Sequence, residues 1–244
     1  MSLPDVVTRE EWLASRKSLL AKEKELRRAQ DALNTERRSL PMVRVDKKYT
    51  FIGPDGEVGL LDLFSQRHQL IVQHVMFDPE WDAACPNCTA GIDEMSGGLF
   101  RHLEERETRY VFVARAPYEK LAAYSATRGW DLPFYSAQHS DFNYDFNVSF
   151  RPGEPVTWNY RDEAELRAAG LGGYADDPGE QPGMSCFLRV GEDVFHTYST
   201  YARGVDFAGS YSILDITALG RQEEWEEPKG RATALKNIFP MFES

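Results

Sequence analysis

Residues 85–88 read Cys-Pro-Asn-Cys, two thiols three positions apart, and this spacing carries the strongest chemical signal in the chain. On a helix such a pair lies one turn apart, so one sulfur can attack a substrate while the other closes a disulfide behind it. Pro86 suits the first helical position, where its missing N–H costs nothing. Cys85 then falls at a helix N-terminus, where the macrodipole and free backbone N–H groups stabilise the thiolate, the reactive form of cysteine. Other readings of the motif stay open. It is half of a zinc site only if ligands come from elsewhere, yet the sole further cysteine is Cys186, and the five histidines (68, 74, 102, 139, 196) lack the paired spacing of a zinc motif. Haem attachment needs His after the second cysteine, and Thr89 stands there. A structural disulfide across so short a loop is more often labile than stabilising. No metal and no cofactor are expected.

The surrounding elements favour the redox reading. Residues 69–77 form an apolar, β-branched run of strand length, broken by Asp78-Pro79. The segment from Ala90 to Glu107 has helical composition, with Ile92, Met95, Leu99 and Leu103 three or four apart. Strand, short loop, then Cys-x-x-Cys opening a helix is a thioredoxin-like context. Cys85 is therefore the expected nucleophile and Cys88 the resolving thiol.

At 244 residues, 42% of them apolar, the chain can bury a sizeable core. No apolar run reaches membrane-spanning length, and the first residues interleave leucine with charge instead of forming a signal-peptide core, so a cytoplasmic protein without a membrane partner is expected. A net charge of −11 argues against nucleic acid. That charge is uneven: residues 1–48 carry 12 Lys/Arg and 8 Asp/Glu, a net of +4, and the remainder 16 and 31, a net of −15.

A capping box at Thr8–Glu11 opens a long helix running to about Ser39. Trp12, Leu19, Leu26, Leu33 and Leu40 recur every seven residues, but Arg16, Glu23 and Gln30 occupy what would be the second seam of a coiled coil. The basic arm, residues 1–42, is expected to dock on the acidic body or on a second copy, giving a homodimer; a solvated helix is the plainer alternative.

Further along, Val43 to Ile52 reads as one strand, Gly53 to Gly56 as a turn, Glu57 to Leu60 as a strand and Leu61 to Phe64 as a short helical piece. Arg109–Ala114 reads as a strand, Pro117–Arg128 as a helix ended by Gly129, and Leu132–Ser136 as a short strand. Residues 141–150 alternate aromatic and polar side chains and fit strand or helix. The stretch 151–183, rich in Gly, Pro and Asp, reads as an insertion with a short helix near 162–169. Ser185–Val190 and Val194–Tyr198 form an antiparallel hairpin; a helix near 208–219 and an acidic, irregular tail over 221–244 follow.

The block from Gly59 through Cys88 resembles thioredoxin-like thiol oxidoreductases of the peroxiredoxin-related branch. The whole chain is similar to a bacterial family of unknown function described as predicted dithiol–disulfide oxidoreductases, through Leu40-Pro41-Met42-Val43-Arg44-Val45, Gly53-Pro54-Asp55-Gly56, the cysteine motif, Ser140–Phe146 and His196–Gly204. The resemblance implies an α/β thioredoxin-like domain over 43–220, a mixed sheet with helices on both faces. Thioredoxins carry a proline just before the strand matching Ser185–Val190; the alignment sets Gly183 or Met184 there, with Pro182 adjacent. The Pro-x3-Thr-x2-Cys of peroxiredoxins is missing: Pro79 precedes Cys85 by six and the threonine is absent.

On this plan His74 falls near the buried acid that shuttles a proton to the resolving thiol in thioredoxins, or is a hydrogen-bonded core histidine. Phe77 and Trp81 flank the motif and either shape access to Cys85 or simply pack. Tyr198 and Tyr201 are candidate pocket walls, with Arg203 for an anionic group, against the alternative of an ordinary hairpin strand. Cys186 is a possible third thiol or an inert buried one. The function expected is thiol–disulfide exchange with a disulfide-containing protein or small thiol; the alternative is a non-catalytic binding or scaffold protein.

Overall fold

A computed structural model describes residues 4–201; Arg203, the helix expected near 208–219 and the tail over 221–244 lie outside them. The described residues fall into two compact units that part between Pro41 and Met42. The first is the helix α1, Arg9–Arg38, opened by the Thr8–Glu11 capping box and closed at Ser39. None of its side chains is buried, and Trp12, Leu19, Leu26 and Leu33 are exposed.

The second unit runs in chain order β1 (Val43–Arg44), β2 (Thr50–Gly53), β3 (Gly56–Gly59), a 3-10 turn (Asp62–Phe64), β4 (Gln69–His74), α2 (Pro86–Asp93), α3 (Gly97–Glu104), β5 (Thr108–Ala114), α4 (Tyr118–Arg128), β6 (Phe134–Ser136), α5 (Phe142–Asp145), α6 (Glu163–Ala168), α7 (Gly172–Asp176), β7 (Gly183–Val190) and β8 (Asp193–Tyr201). One sheet holds all eight strands in the order β1-β8-β7-β4-β5-β6-β2-β3. β4, β5 and β6 are parallel; β7 runs antiparallel to β4, and β8 to β7. The central order β8-β7-β4-β5, with one parallel pair and one antiparallel hairpin, is thioredoxin-like.

Pleating sorts the core to two sides, because successive side chains of a strand face opposite ways. Leu70, Val72, Val111, Val113 and Phe187 pack under Tyr49, Phe51, Phe64, Phe142 and Phe146. Val75, Phe77, Tyr110, Phe112 and Met184 pack on the other side under Cys88, Ile92 and Leu121. Two successive parallel connections of one hand put α2, α3 and α4 on that second side, and α5 covers the first.

Several expectations change in detail. The strand expected over 43–52 is two strands. Asp46-Lys47-Lys48 interrupts it with poor strand formers, and the chain passes from β1, paired with β8 at one edge, to β2 near the other. The helix expected from Ala90 to Glu107 is also two, because it is interrupted before Gly97-Gly98, where helix propensity is low, and α3 starts afresh after Ser96. Residues 142–145 resolve as helix. β7 starts at Gly183, two residues before the expected strand, so the residue just before it is Pro182. A Cβ on Gly183 would come within 2.9 Å of the Tyr201 ring, so the strand start needs glycine.

The insertion is an ordered unit with its own small core of Val156, Trp158, Leu166 and Ala175. The Trp158 and Tyr174 rings stack at 4.1 Å. No helix among the described residues is long and apolar enough to cross a membrane.

Candidate functional site

The site starts where β4 leaves the sheet. Val75 N–H still bonds to Val113 at 2.8 Å, and the Phe77 carbonyl accepts from Ala116 at 2.8 Å, so ladder bonding continues past His74. The chain then turns through 78–84 and comes back, and Cys85 N–H donates to the Met76 carbonyl at 2.8 Å. Cys85 is the N-cap of α2, with an extended backbone and Pro86 at the first helical position; its carbonyl takes the first helical bond, from Thr89 at 3.0 Å. The local sequence dictates this: proline cannot be followed back into a helix on its N-terminal side, so the helix must begin at Pro86.

Cys85 and Cys88 are both free thiols near each other. They are not equivalent. Cys85 is half-buried and Cys88 buried. The Cys85 thiol is pulled down to about 6, first by a hydrogen bond from the Cys88 thiol and then, against the cost of burial, by the backbone N–H groups of Cys88 and Asn87. The same contact, burial and the charge on Cys85 push Cys88 well above the usual thiol range. Near neutral pH the pair holds one thiolate, outside, and one thiol, inside.

The loop from Asp78 to Ala84 is pinned on several sides. Asp78 accepts from Glu80 N–H at 2.9 Å through its side chain and from Trp81 N–H at 3.1 Å through its carbonyl. Lys120, on α4, donates to the carbonyls of Pro79 (2.6 Å) and Trp81 (2.9 Å). Arg115 reaches Asp78 at 3.4 Å and Glu180 at 2.6 Å, and Glu180 also accepts from Ser149 at 2.8 Å. Glu180 is 4% exposed, and burial raises its pKa despite Arg115. None of Lys120, Arg115 or Glu180 stood out in the sequence, because each lies at least 27 residues from the Cys85–Cys88 pair and belongs to no motif.

The other expected site residues are not gathered at the cysteines. His74 lies on the opposite side of the sheet, its ring 5.6 Å from Phe142 and 6.1 Å from Phe146. It is a core histidine in a hydrogen-bonded chain that runs out to the half-buried His196: His74 Nε2 to Ser185 Oγ (2.9 Å), Ser185 to Ser199 (2.8 Å), Ser199 to His196 Nε2 (2.8 Å). Burial, and secondarily His196, push its pKa down to about 3, so it is neutral. Phe77 is core under α4, edge-on to Tyr124 at 5.5 Å. Tyr198 and Tyr201 point to opposite sides. Tyr198 sits across from Cys186, while Tyr201 is buried and donates to the Phe146 carbonyl at 2.9 Å. Cys186 pairs with Ile71, five residues before Met76, which sets it roughly 16 Å along the strand from Cys85. Trp81 is exposed on the pinned loop.

Among the described residues no cluster of His, Cys, Asp and Glu could hold a metal ion. A thioredoxin-like sheet with a polarised thiol pair at a helix N-terminus defines the class of protein. The chain belongs to the family described as bacterial protein of unknown function (DUF899), which matches residues 1–238. No curated protein matches it. Solved structures that it is similar to include a cysteine mutant of PrxQ from Xylella fastidiosa, 13% identical over 66% of this chain and 82% of that one, at a TM-score of 0.42. Another is the bacterioferritin comigratory protein of Xanthomonas campestris, in a study of its alkyl peroxide reduction, at 15%, 68%, 85% and 0.41. A third is peroxidoxin BcpB from Mycobacterium tuberculosis, at 14%, 65%, 86% and 0.41. Likeness at this level says nothing of activity.

Proposed function

We propose that this protein is a thiol–disulfide oxidoreductase, with Cys85 as nucleophile and Cys88 as resolving thiol. The observation that carries this reading is the asymmetry of the pair: an accessible thiolate at the start of α2 beside a buried, protonated thiol that donates to it.

The Cys85 thiolate attacks one sulfur of a substrate disulfide. A bond forms between Cys85 and that sulfur, the substrate S–S bond breaks, and the second substrate sulfur leaves as thiolate and takes a proton from solvent. Cys88 then loses its proton to water and attacks the Cys85 sulfur. The Cys85–Cys88 disulfide forms and the first substrate sulfur departs. The substrate gains two electrons and the pair loses two; an external dithiol, available in a reducing compartment such as the cytoplasm, restores it. His74 has no part, since its side chain is on the other face.

Among the described residues the donors to Cys85 are neutral, a thiol and two backbone amides. These donors serve the nucleophile; a disulfide expels a thiolate, which needs less help in leaving than the hydroxide expelled from hydrogen peroxide. The test is turnover on a disulfide and on hydrogen peroxide with the wild type, Cys85→Ser and Cys88→Ser. The disulfide should be the better substrate, Cys85→Ser inactive, and Cys88→Ser trapped as a mixed disulfide through Cys85. Full activity in Cys85→Ser, or no disulfide reduced by the wild type, would refute the proposal.

A further inference from the structure

The chain neighbours of Cys85 at Glu80, Trp81, Asp82, Ala83, Pro86 and Asn87 are all exposed. Trp81, 38% exposed, is the single large apolar side chain among them. It stands four positions before Cys85, so their Cα atoms lie within about 14 Å at full extension. Large exposed aromatics at interfaces act as anchors, and an anchor is more effective when nothing must be ordered on binding. Trp81 meets that condition: its own carbonyl is held by Lys120, its N–H by Asp78, and Asp78 by Arg115. The two acids on either side of it, Glu80 and Asp82, make no ion pair among the described residues.

We propose that the Asp78–Ala84 loop is a preformed docking surface for a basic, extended polypeptide that carries the disulfide, with Trp81 taking an apolar or cationic side chain beside the substrate cysteine. The proposal rests on the thiol–disulfide reading and names its substrate class: a protein disulfide flanked by Lys or Arg, in preference to a small disulfide. Charge complementarity supports it twice. Glu80 and Asp82 supply local negative charge, and the chain beyond residue 48 carries a net −15 that draws cationic partners in. A lysine or arginine over the indole adds a cation–π contact.

The test is binding, independent of turnover. Two labelled peptides carry one S-methylcysteine beside a leucine, one flanked by lysines and the other by glutamates, and fluorescence anisotropy gives their affinities for the full chain. The lysine peptide should bind about tenfold more tightly at low salt, with the gap closing as salt screens it. Trp81→Ala should weaken the lysine peptide about fivefold or more, with Trp81→Phe recovering most of it. Glu80→Gln with Asp82→Asn should bring the two peptides within about twofold. Equal affinities in the wild type, or no effect of Trp81→Ala, would overturn the docking surface whether or not disulfides are reduced. The expected binding together with no reduction of the corresponding disulfide peptides would leave the surface standing and sink the redox reading instead.

Discussion

His74 Nε2 stands 2.9 Å from Ser185 Oγ, on the face of the sheet turned away from Cys88. A histidine two residues before Met76, whose carbonyl holds Cys85, is thus cut off from the thiols by the sheet itself. His74 Nδ1 is buried with no hydrogen-bond partner among the described residues. The tautomer with its proton on Nε2 leaves a lone pair unpaired there instead of an N–H. It also lets Ser185 donate to Ser199 and Ser199 to His196.

That chain makes the fold acid-sensitive. His74 has a folded pKa near 3 against 6.5 when free, so between these values the unfolded chain binds a proton that the folded one does not. Stability therefore rises with pH through this window and is lost as pH falls from 6.5 toward 3, by up to about 1.4 kcal/mol per unit from this group. His196, also lowered by burial, adds in the same direction. Urea unfolding at pH 7 and pH 4.5 checks this: His74→Leu should flatten the pH dependence, and Ser185 keeps Ser199 as partner. An undiminished slope in the variant would place the acid sensitivity elsewhere.

The Cys85 thiolate owes most to Cys88, whose hydrogen bond is the first cause of its lowered pKa. Removing that donor with Cys88→Ala should move the midpoint of iodoacetamide alkylation at Cys85 upward from about 6, since only the backbone N–H groups of α2 remain. The rate at pH 6 should fall several-fold. A midpoint unmoved by the substitution would mean that the helix N-terminus alone stabilises the thiolate.

Glu180 is buried and pairs with the partly buried Arg115 at 2.6 Å, so loss of Arg115 strands a buried carboxylate. Arg115→Met should cost about 3 kcal/mol of stability, and Glu180→Gln in the same chain should restore much of it. Denaturant midpoints of the two single variants and the double variant measure the coupling. Additive losses would show that the pair is not coupled.

Elements governed by local pattern were legible in the sequence. β4, β5 and α4 follow from apolar runs, periodicity and Gly129 in a left-handed conformation. The cysteine motif also declares its own helix start through Pro86. What the sequence does not declare is the side of the sheet, because parity depends on register across partners that are distant in the chain. His74 reads equally well on either side until β4 pairs with β5 and β7. The bulge where β7 pairs with β8 between Cys186 and Phe187 breaks strict alternation, and His196 and Ser199, three apart, bond on one side. The core of the insertion is hidden for another reason. It hangs on a two-residue turn at Asn159-Tyr160, both at positive φ, a geometry that usually announces itself with glycine.

The last prediction concerns α1. Its 30 residues span about 45 Å at 1.5 Å per residue. Trp12, Leu19, Leu26 and Leu33 lie exposed along it, spaced by seven, with Arg16 and Glu23 paired to each other beside them at 2.9 Å. A stripe this narrow cannot centre a core, and among the described residues it stays exposed. The arm is basic and the rest of the chain acidic, so association between copies joins opposite charges while covering the stripe. A two-fold dimer does both at once, and two-fold dimers are the commonest closed assemblies. Light scattering at micromolar concentration should give twice the chain mass of 27.8 kDa. Leu19→Asp with Leu26→Asp should give the monomer while far-ultraviolet circular dichroism keeps its helical signal, and removal of residues 1–40 should do the same without the helix. An intact chain that is already monomeric, or a truncated one that stays dimeric, would show that the stripe is covered in another way.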